Sequence, residues 1–228
     1  MRLKKGDVVD ELWYLSGDAR NAEFMPEFSV IDTESSHGRY ADRTKRITVA
    51  DLIKFHGHGC DGLFRGAYAM SVGLSDLFPG GGTDRTDLRV LSRNSPCLGD
   101  VASYLTGGRV RFGTQDVRKT PGVWYIIQRI SDGKAVRVVE EEGFFPESIS
   151  RLEAGLAETA GEKLPAALDE LKNAQDRWIG SVLFKSRPRD HYFSSVIEFK
   201  WEDTTYAGSG VRTDVLYKNV PVNRSQQR

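Results

Sequence analysis

Sulfur is scarce in this chain of 228 residues, which has two cysteines, Cys60 and Cys97, and three methionines. Two cysteines exclude a disulfide framework and a four-thiolate zinc site. They leave one disulfide, two inert core thiols, or two ligands of a site completed by histidine. Histidine is scarce as well, with only His37, His56, His58 and His191. Charge of one sign is not in excess: Lys+Arg and Asp+Glu both count 32, so the electrostatic footprint of a nucleic-acid or anionic-membrane partner is missing. No apolar run approaches the length of a spanning helix. Met1-Arg2-Leu3-Lys4-Lys5-Gly6-Asp7 leads into charge rather than an apolar signal core. The expected location is the cytoplasm, and the expected partner is a small-molecule substrate, with no nucleic acid and no membrane.

What remains is an ordinary globular composition, 39% apolar and 28% charged, with enough chain for one sizeable core. Residues 1–46 read as an irregular N-terminal extension with a short apolar element around Val8 to Leu15. Thr48 suits a helix N-cap, and Val49, Leu52, Ile53 and Phe55 follow at helical spacing. His56-Gly57-His58-Gly59-Cys60 interrupts that helix, because glycine is a poor helix former. A second helix is predicted from about Asp61 to Phe78, stopped by Pro79-Gly80-Gly81-Gly82. Leu88 to Leu91 reads as a strand.

Ser95-Pro96-Cys97 then has the chemistry of a helix start, with Ser95 as N-cap and Pro96 at the first helical position. That helix should stop at Gly107-Gly108. Gly122 to Ile130 and Ala135 to Val139 read as a hairpin turning on Asp132-Gly133. From about Pro146 the pattern changes. Leu164, Leu168, Leu171, Ala174, Trp178 and Val182 mark a long amphipathic helix, and a strand-like stretch runs from Tyr192 to Trp201. Residues from Asn223 onward look frayed. The predicted fold class is α+β, a small mixed sheet with helices packed on one side, followed by a long C-terminal helix and additional strands. The predicted division is an extension at 1–46, a core at 47–145, and a C-terminal extension at 146–228.

Two of the four histidines lie within four residues of Cys60. In an extended segment, His56, His58 and Cys60 would project to the same side, whereas a regular helix would splay them. Imidazole with thiolate suits zinc and, in other geometries, iron or copper. Cys97, at the second position of a helix, faces unpaired N–H groups and the positive end of the dipole, which favour thiolate. Two cysteines with one histidine match open catalytic zinc sites; both histidines would give a closed structural set.

Plainer readings stand beside these. The cysteines also suit buried small hydrophobes, and the histidines suit caps of the preceding helix end. Asp100 shares the helical face of Cys97, either as an orienting or basic group or as a solvated residue. Arg187 to His191 reads as an anion-binding loop or as a charged surface turn. Gly80-Gly81-Gly82 lacks the strand-before, helix-after setting of a phosphate loop. The Trp178 stripe fits a dimer seam or internal packing.

Phe55-His56-Gly57-His58-Gly59-Cys60-Asp61-Gly62-Leu63, with Ser95-Pro96-Cys97-Leu98-Gly99-Asp100-Val101 and Leu105-Thr106-Gly107, resembles the formylmethanofuran dehydrogenase E-subunit-like family. That family's pattern is Phe-His-Gly-His-x-Cys-Pro-Gly, then Ser-Cys-x-x-Asp-Ala, then a Thr-Gly turn. The likeness covers about residues 48 to 140. It implies a small α+β unit with a mixed sheet in a metal-binding protein, often dimeric, and so a homodimer here. It also implies that His56, His58, Cys60 and Cys97 are the metal site, with Asp100 and Thr106 beside it. Asp61 departs from the family's Pro, Tyr68 from Arg and Gly108 from Cys, and no cysteine-rich ribbon follows. These departures separate the chain from the methanofuran complex itself.

The leading expectation is a metal-dependent enzyme acting on a small substrate. Cys60, Cys97 and one of His56 or His58 would hold one divalent metal ion, zinc or iron. The other histidine, taken as His58, would serve as ligand or acid/base, with Asp100 behind the ligands. His191 and residues 192–201 are expected to complete the pocket of the same or a partner subunit. The alternative is a metal-, haem- or cofactor-handling accessory protein without turnover. A third reading is a nucleophilic-cysteine enzyme with Cys97 activated by its helix.

Overall fold

Two sheets form where short alternating runs meet, and a computed structural model describes residues 12–35, 37–156, 158–159 and 163–202. The smaller sheet joins β1 (Glu27–Ile31), β2 (Lys45–Thr48) and β3 (Thr83–Asp84) in the order β2-β1-β3. The region expected to be irregular therefore holds two strands. Phe28 and Val30 are buried between exposed Glu27 and Ser29, so only two inward residues carry the alternation. That is too short a signal to stand out in a polar stretch. Of the apolar element expected around Val8 to Leu15, the first four residues lie outside the described chain, and Leu12 to Leu15 form a turn closed by Leu15 N–H on the Leu12 carbonyl.

The larger sheet contains β4 (Leu88–Arg93), β5 (Gln115–Arg118), β6 (Trp124–Arg129), β7 (Ala135–Glu140) and β8 (Tyr192–Ile197), in the order β5-β4-β6-β7-β8. β4 and β5 run parallel and the other neighbours antiparallel, so the fold is α+β with a mixed sheet. The β6–β7 hairpin turns where Asp132-Gly133 predicts, with Gly133 at φ 73°. β8 pairs with β7 from Ala135 opposite Ile197 to Glu140 opposite Tyr192. Residues 146–202 thus add an edge strand to the central sheet, and that strand ends at Ile197 rather than Trp201.

Helices α1 (Gly17–Arg20), α2 (Val49–His56), α3 (Asp61–Leu77) and α4 (Pro96–Thr106) precede the hairpin. α3 lies across β6, β7 and β8, and α4 lies across β4 and β5 beside it. Tyr125, Ile127, Val136 and Val138 supply the buried sheet face under them. Gly73 sets how closely α3 approaches: a Cβ there would come within 2.7 Å of both Ile127 and Val138. Alanine in place of glycine ordinarily favours a helix by about 1 kcal/mol. Here Gly73→Ala should instead destabilise by about 1–3 kcal/mol, the cost of overpacking. A urea midpoint unchanged or raised in that variant would contradict the close approach.

Helices α5 (Glu147–Leu156) and α6 (Leu164–Ser181) pack on each other, and α6 also reaches α3. Trp178 makes edge contacts with Phe144 and Phe145 at 5.2 and 5.1 Å, so it serves internal packing with buried Leu171, while Leu168 and Val182 of the same stripe stay exposed. The short α7 (Pro188–His191) binds back to α3 through Arg189, which pairs with Asp76 and reaches Ser75. Arg187 lies over Phe24 at 5.4 Å. Both arginines of the expected anion loop are already engaged, and the run acts as a tie. Among the described residues no helix is long and apolar enough to cross a membrane.

Candidate metal centre

Helix ends assemble the site. Thr48 and Asp51 form a capping box that starts α2, and Gly57 at φ 103° ends it just after His56. Cys60 is the N-cap of α3, while Ser95 and Pro96 start α4 and leave Cys97 in its first turn. The two helix starts meet closely, since a Cβ on Gly62 would lie 2.9 Å from Cys97 Sγ. Only glycine leaves room for that sulfur.

Both cysteines are free thiols, with sulfurs 3.5 Å apart, and Cys60 Sγ lies 3.7 Å from His56 Nε2. The three ligand atoms all lie within 4.8 Å of one another. In a tetrahedral zinc site with sulfur and nitrogen ligands, neighbouring donors are about 3.6–3.8 Å apart. The donor set and its spacing therefore fit one ion. Among the described residues no fourth His, Cys, Asp or Glu joins the group.

His56 Nδ1 lies 2.8 Å from Asp100 Oδ2, and its side chain is 5% exposed. With Nδ1–H donating to that carboxylate, the Nε2 lone pair faces the sulfurs. α4 places Cys97 and Asp100 three residues apart, so one helix face presents both the sulfur and the group that orients the histidine.

The thiols share one proton. Cys97 is pulled down to about 6, first by the hydrogen bond from Cys60, against the effect of burial, with His56 and Ser95 helping. Cys60 is pushed up, first by that same bond and then by burial; the Leu63 backbone N–H works the other way. The metal-free pair is thus a Cys60 thiol donating to a Cys97 thiolate.

His58 stands apart from this group. It is exposed, with its ring centroid 4.6 Å from that of His56. The segment is not extended as the alternation argument requires: His56 is still helical and the left-handed Gly57 turns the chain. Cys60 and His56 meet as residues four apart across that turn.

Thr106 is not beside the centre. It lies at the other end of α4 from Cys97, about 14 Å along the axis for nine residues. Its hydroxyl donates to the Ala102 carbonyl and accepts from Gly108 N–H, closing the helix end. His191 stacks on Phe144 at 3.8 Å and bonds Glu141 at 2.6 Å, and it contributes nothing to the three-donor group.

Sequence reasoning missed a buried ion network beside the cluster. Arg65 grips Glu140 through two N–H groups, donates to Asp61 Oδ2 at 3.1 Å, and lies 3.9 Å over the Phe145 ring. Tyr192 donates to Glu140, and Gln175 donates to both Asp61 and Glu153. Burial works against the Arg65 cation, but Glu140 and Asp61 more than restore it, so it stays charged. The i, i+4 pair of Asp61 and Arg65 is a legible helix signal. Glu140, 75 residues further on, is not. Arg65 also borders a cavity of about 970 Å³ at the ends of β4, β6 and β7. Asp61, next in sequence to Cys60, accepts a hydrogen bond from Arg65 at that border.

No curated protein matches the chain. Among solved structures it is similar to a tungsten formylmethanofuran dehydrogenase FmdE-like protein from Syntrophus aciditrophicus. Identity is 15%, the likeness covers 68% of this chain and 74% of that one, and the TM-score is 0.42. Residues 55–187 match the family described as FmdE, Molybdenum formylmethanofuran dehydrogenase operon. That match spans more than half of the sequence, and the chain belongs to the FmdE family.

Proposed function

We propose that the protein is a metal-dependent enzyme acting on a small substrate, with one zinc or iron ion held by His56 Nε2, Cys60 Sγ and Cys97 Sγ. The observation that carries this reading is the convergence of three donors from the ends of three helices, with no fourth His, Cys, Asp or Glu joining the group among the described residues. That is the donor count of open catalytic sites rather than closed structural ones. A bound ion would supply a Lewis acid able to polarise a carbonyl or activate water.

The chain's own groups do the rest. Asp100 holds the His56 ring so that Nε2 stays available. Two helix N-termini favour the thiolates. His58, exposed beside His56, is positioned to exchange a proton with a bound molecule without serving as a ligand. The same reading has the protein working as a homodimer in the cytoplasm. Phe55, 53% exposed and 5.3 Å from the Tyr104 ring, offers an apolar surface next to the centre for a second copy.

Chelator competition on anaerobically purified protein tests the ligand set. His56→Ala should abolish stoichiometric binding, and Asp100→Asn should weaken it by about 10- to 100-fold. His58→Ala should leave it within about threefold, the change expected of an exposed side chain outside the group. Equal retention of the ion in the His56 and His58 variants would remove histidine from the site. X-ray absorption should find two sulfurs, one protein nitrogen and a solvent position; four protein ligands would count against catalysis.

A second reading, an ion-handling accessory protein without turnover, draws on the partial exposure of both cysteines. It predicts exchange of the ion with a chelator in minutes rather than hours. The depressed Cys97 thiol supports a nucleophilic enzyme as a third reading. Inertness of the metal-free protein towards iodoacetamide would exclude it.

A further inference from the structure

The cavity bordered by Arg65 has the size of a small-molecule site, about 970 Å³. Strand register defines its floor. Ser92 pairs with Tyr125 and Trp124 with Val139, so Arg93, Trp124 and Val139 follow one another across three strands. One row along, Leu91 pairs with Ile126 and Ile126 with Arg137. The floor is thus a block of two rows of three residues, in which Trp124, Val139, Leu91 and Ile126 are apolar and an arginine holds each of two opposite corners. Strand spacing puts the two arginine Cα atoms roughly 12 Å apart.

Charge pairing leaves those corners open. Arg65 is held by Glu140 and Asp61, and Glu141 holds His191. Burial, then Asp61, raises the Glu153 carboxyl, while the hydrogen bond from Gln175 and the Arg65 and Arg93 cations pull it back down. Arg93 and Arg137 are exposed and make no direct ion pair among the described residues, Arg93 feeling Glu153 only at longer range, and the acid at the rim, Glu142, makes none either. The chain links this cavity to the metal centre twice. It runs from Arg93 through the Ser95 cap to Cys97, and from Cys60 through Asp61 to Arg65.

We propose that this cavity binds a small organic anion, a carboxylate or phosphate ester on an apolar body. Arg93 and Arg137 take the anionic group, and the Leu91, Trp124, Ile126 and Val139 floor takes the body. This names the substrate class of the metal centre and rests on that reading for the word substrate; the binding itself does not.

The test is calorimetric titration of the full chain, as purified with its ion, with 2-naphthoate, 2-naphthyl phosphate and the neutral 2-naphthalenemethanol. At least one anion should bind about tenfold more tightly than the alcohol, the worth of one charge-assisted hydrogen bond. The better anion says whether carboxylate or phosphate is preferred. Arg93→Gln and Arg137→Gln should each weaken that anion by about fivefold, and the double variant should lose the preference while binding the alcohol unchanged. Undiminished anion binding in the double variant, equal binding of anion and alcohol, or no anion binding below about 5 mM overturns the inference.

Metal content of the same samples separates the two readings. Cys97→Ser should lose the ion and keep the anion preference, while the arginine variants should keep the ion. Loss of the preference in wild-type protein with the ion present defeats this inference alone. Retention of the ion in Cys97→Ser defeats the metal centre and leaves the anion site standing.

Discussion

Cys97→Ser should cost the protein its ion. Apparent binding energies of structural zinc sites run to about 10–16 kcal/mol over four ligands, or roughly 2.5–4 kcal/mol for each. Affinity should therefore fall by about a hundredfold to a thousandfold, read by competition with a chromogenic chelator. Serine keeps the volume and the helix start, so the fold should survive.

The metal-free protein gives a second readout. Cys97 is held at about 6 by the hydrogen bond from Cys60, so one thiolate per chain should absorb near 240 nm at neutral pH. That band should fade below about pH 6 and be missing from the serine variant. The direction of the shift fixes the sign of the stability effect. A thiol depressed in the folded state contributes stability that is complete above its ordinary value of 9.0 and is lost as pH falls through about 6. Cys60, shifted upward, works in the opposite sense only above 9.0, so the contribution of the pair rises between about pH 6 and 9.0 and declines beyond it. Unchanged metal affinity in the variant, or no thiolate band in the wild type, would remove the paired sulfurs as the reactive feature.

Arg65→Leu should be the most damaging substitution away from the sulfurs. Arg65, Asp61 and Glu140 have side chains 12%, 10% and 7% exposed, so two carboxylates would be left without their cation. Removing one partner of a buried ion pair costs about 3–5 kcal/mol, much of it the penalty on the charge left behind. Urea unfolding measures the loss. The double variant Arg65→Leu with Glu140→Leu should lose less than the sum of the singles, because the stranded carboxylate goes with its partner. Additive losses would mean that the two side chains act independently. The single variant should also loosen the contact between α3 and the end of β7, since Arg65 bridges them.

Local chemistry made much of this molecule readable. Thr48, Gly57, Ser95-Pro96, Gly107 and Asp132-Gly133 each mark a helix or hairpin boundary through their own backbone preferences or caps. The elements between them appear within a residue or two of expectation. Short strands were harder. β1 and β5 have few inward residues, and β5 gains its place only by pairing in parallel with β4. At the site, sequence spacing grouped His56, His58, Cys60 and Cys97 as candidates. It had no means of ranking the two histidines, because that ranking depends on the turn at Gly57.

By itself the sequence determined the helix ends that carry the donors, the scarcity of sulfur and histidine that points to one site, and the family motif that links them. Those are properties of neighbouring residues and need no fold. Tertiary structure alone decided that Cys60 and Cys97, 37 residues apart, meet at 3.5 Å. It also decided that Asp100 turns His56 toward them and that Arg65 finds Glu140 across the end of the sheet. The physical reason is that burial and charge pairing are settled by which surfaces the packed helices and sheet bring together, and spacing along the chain does not encode that directly.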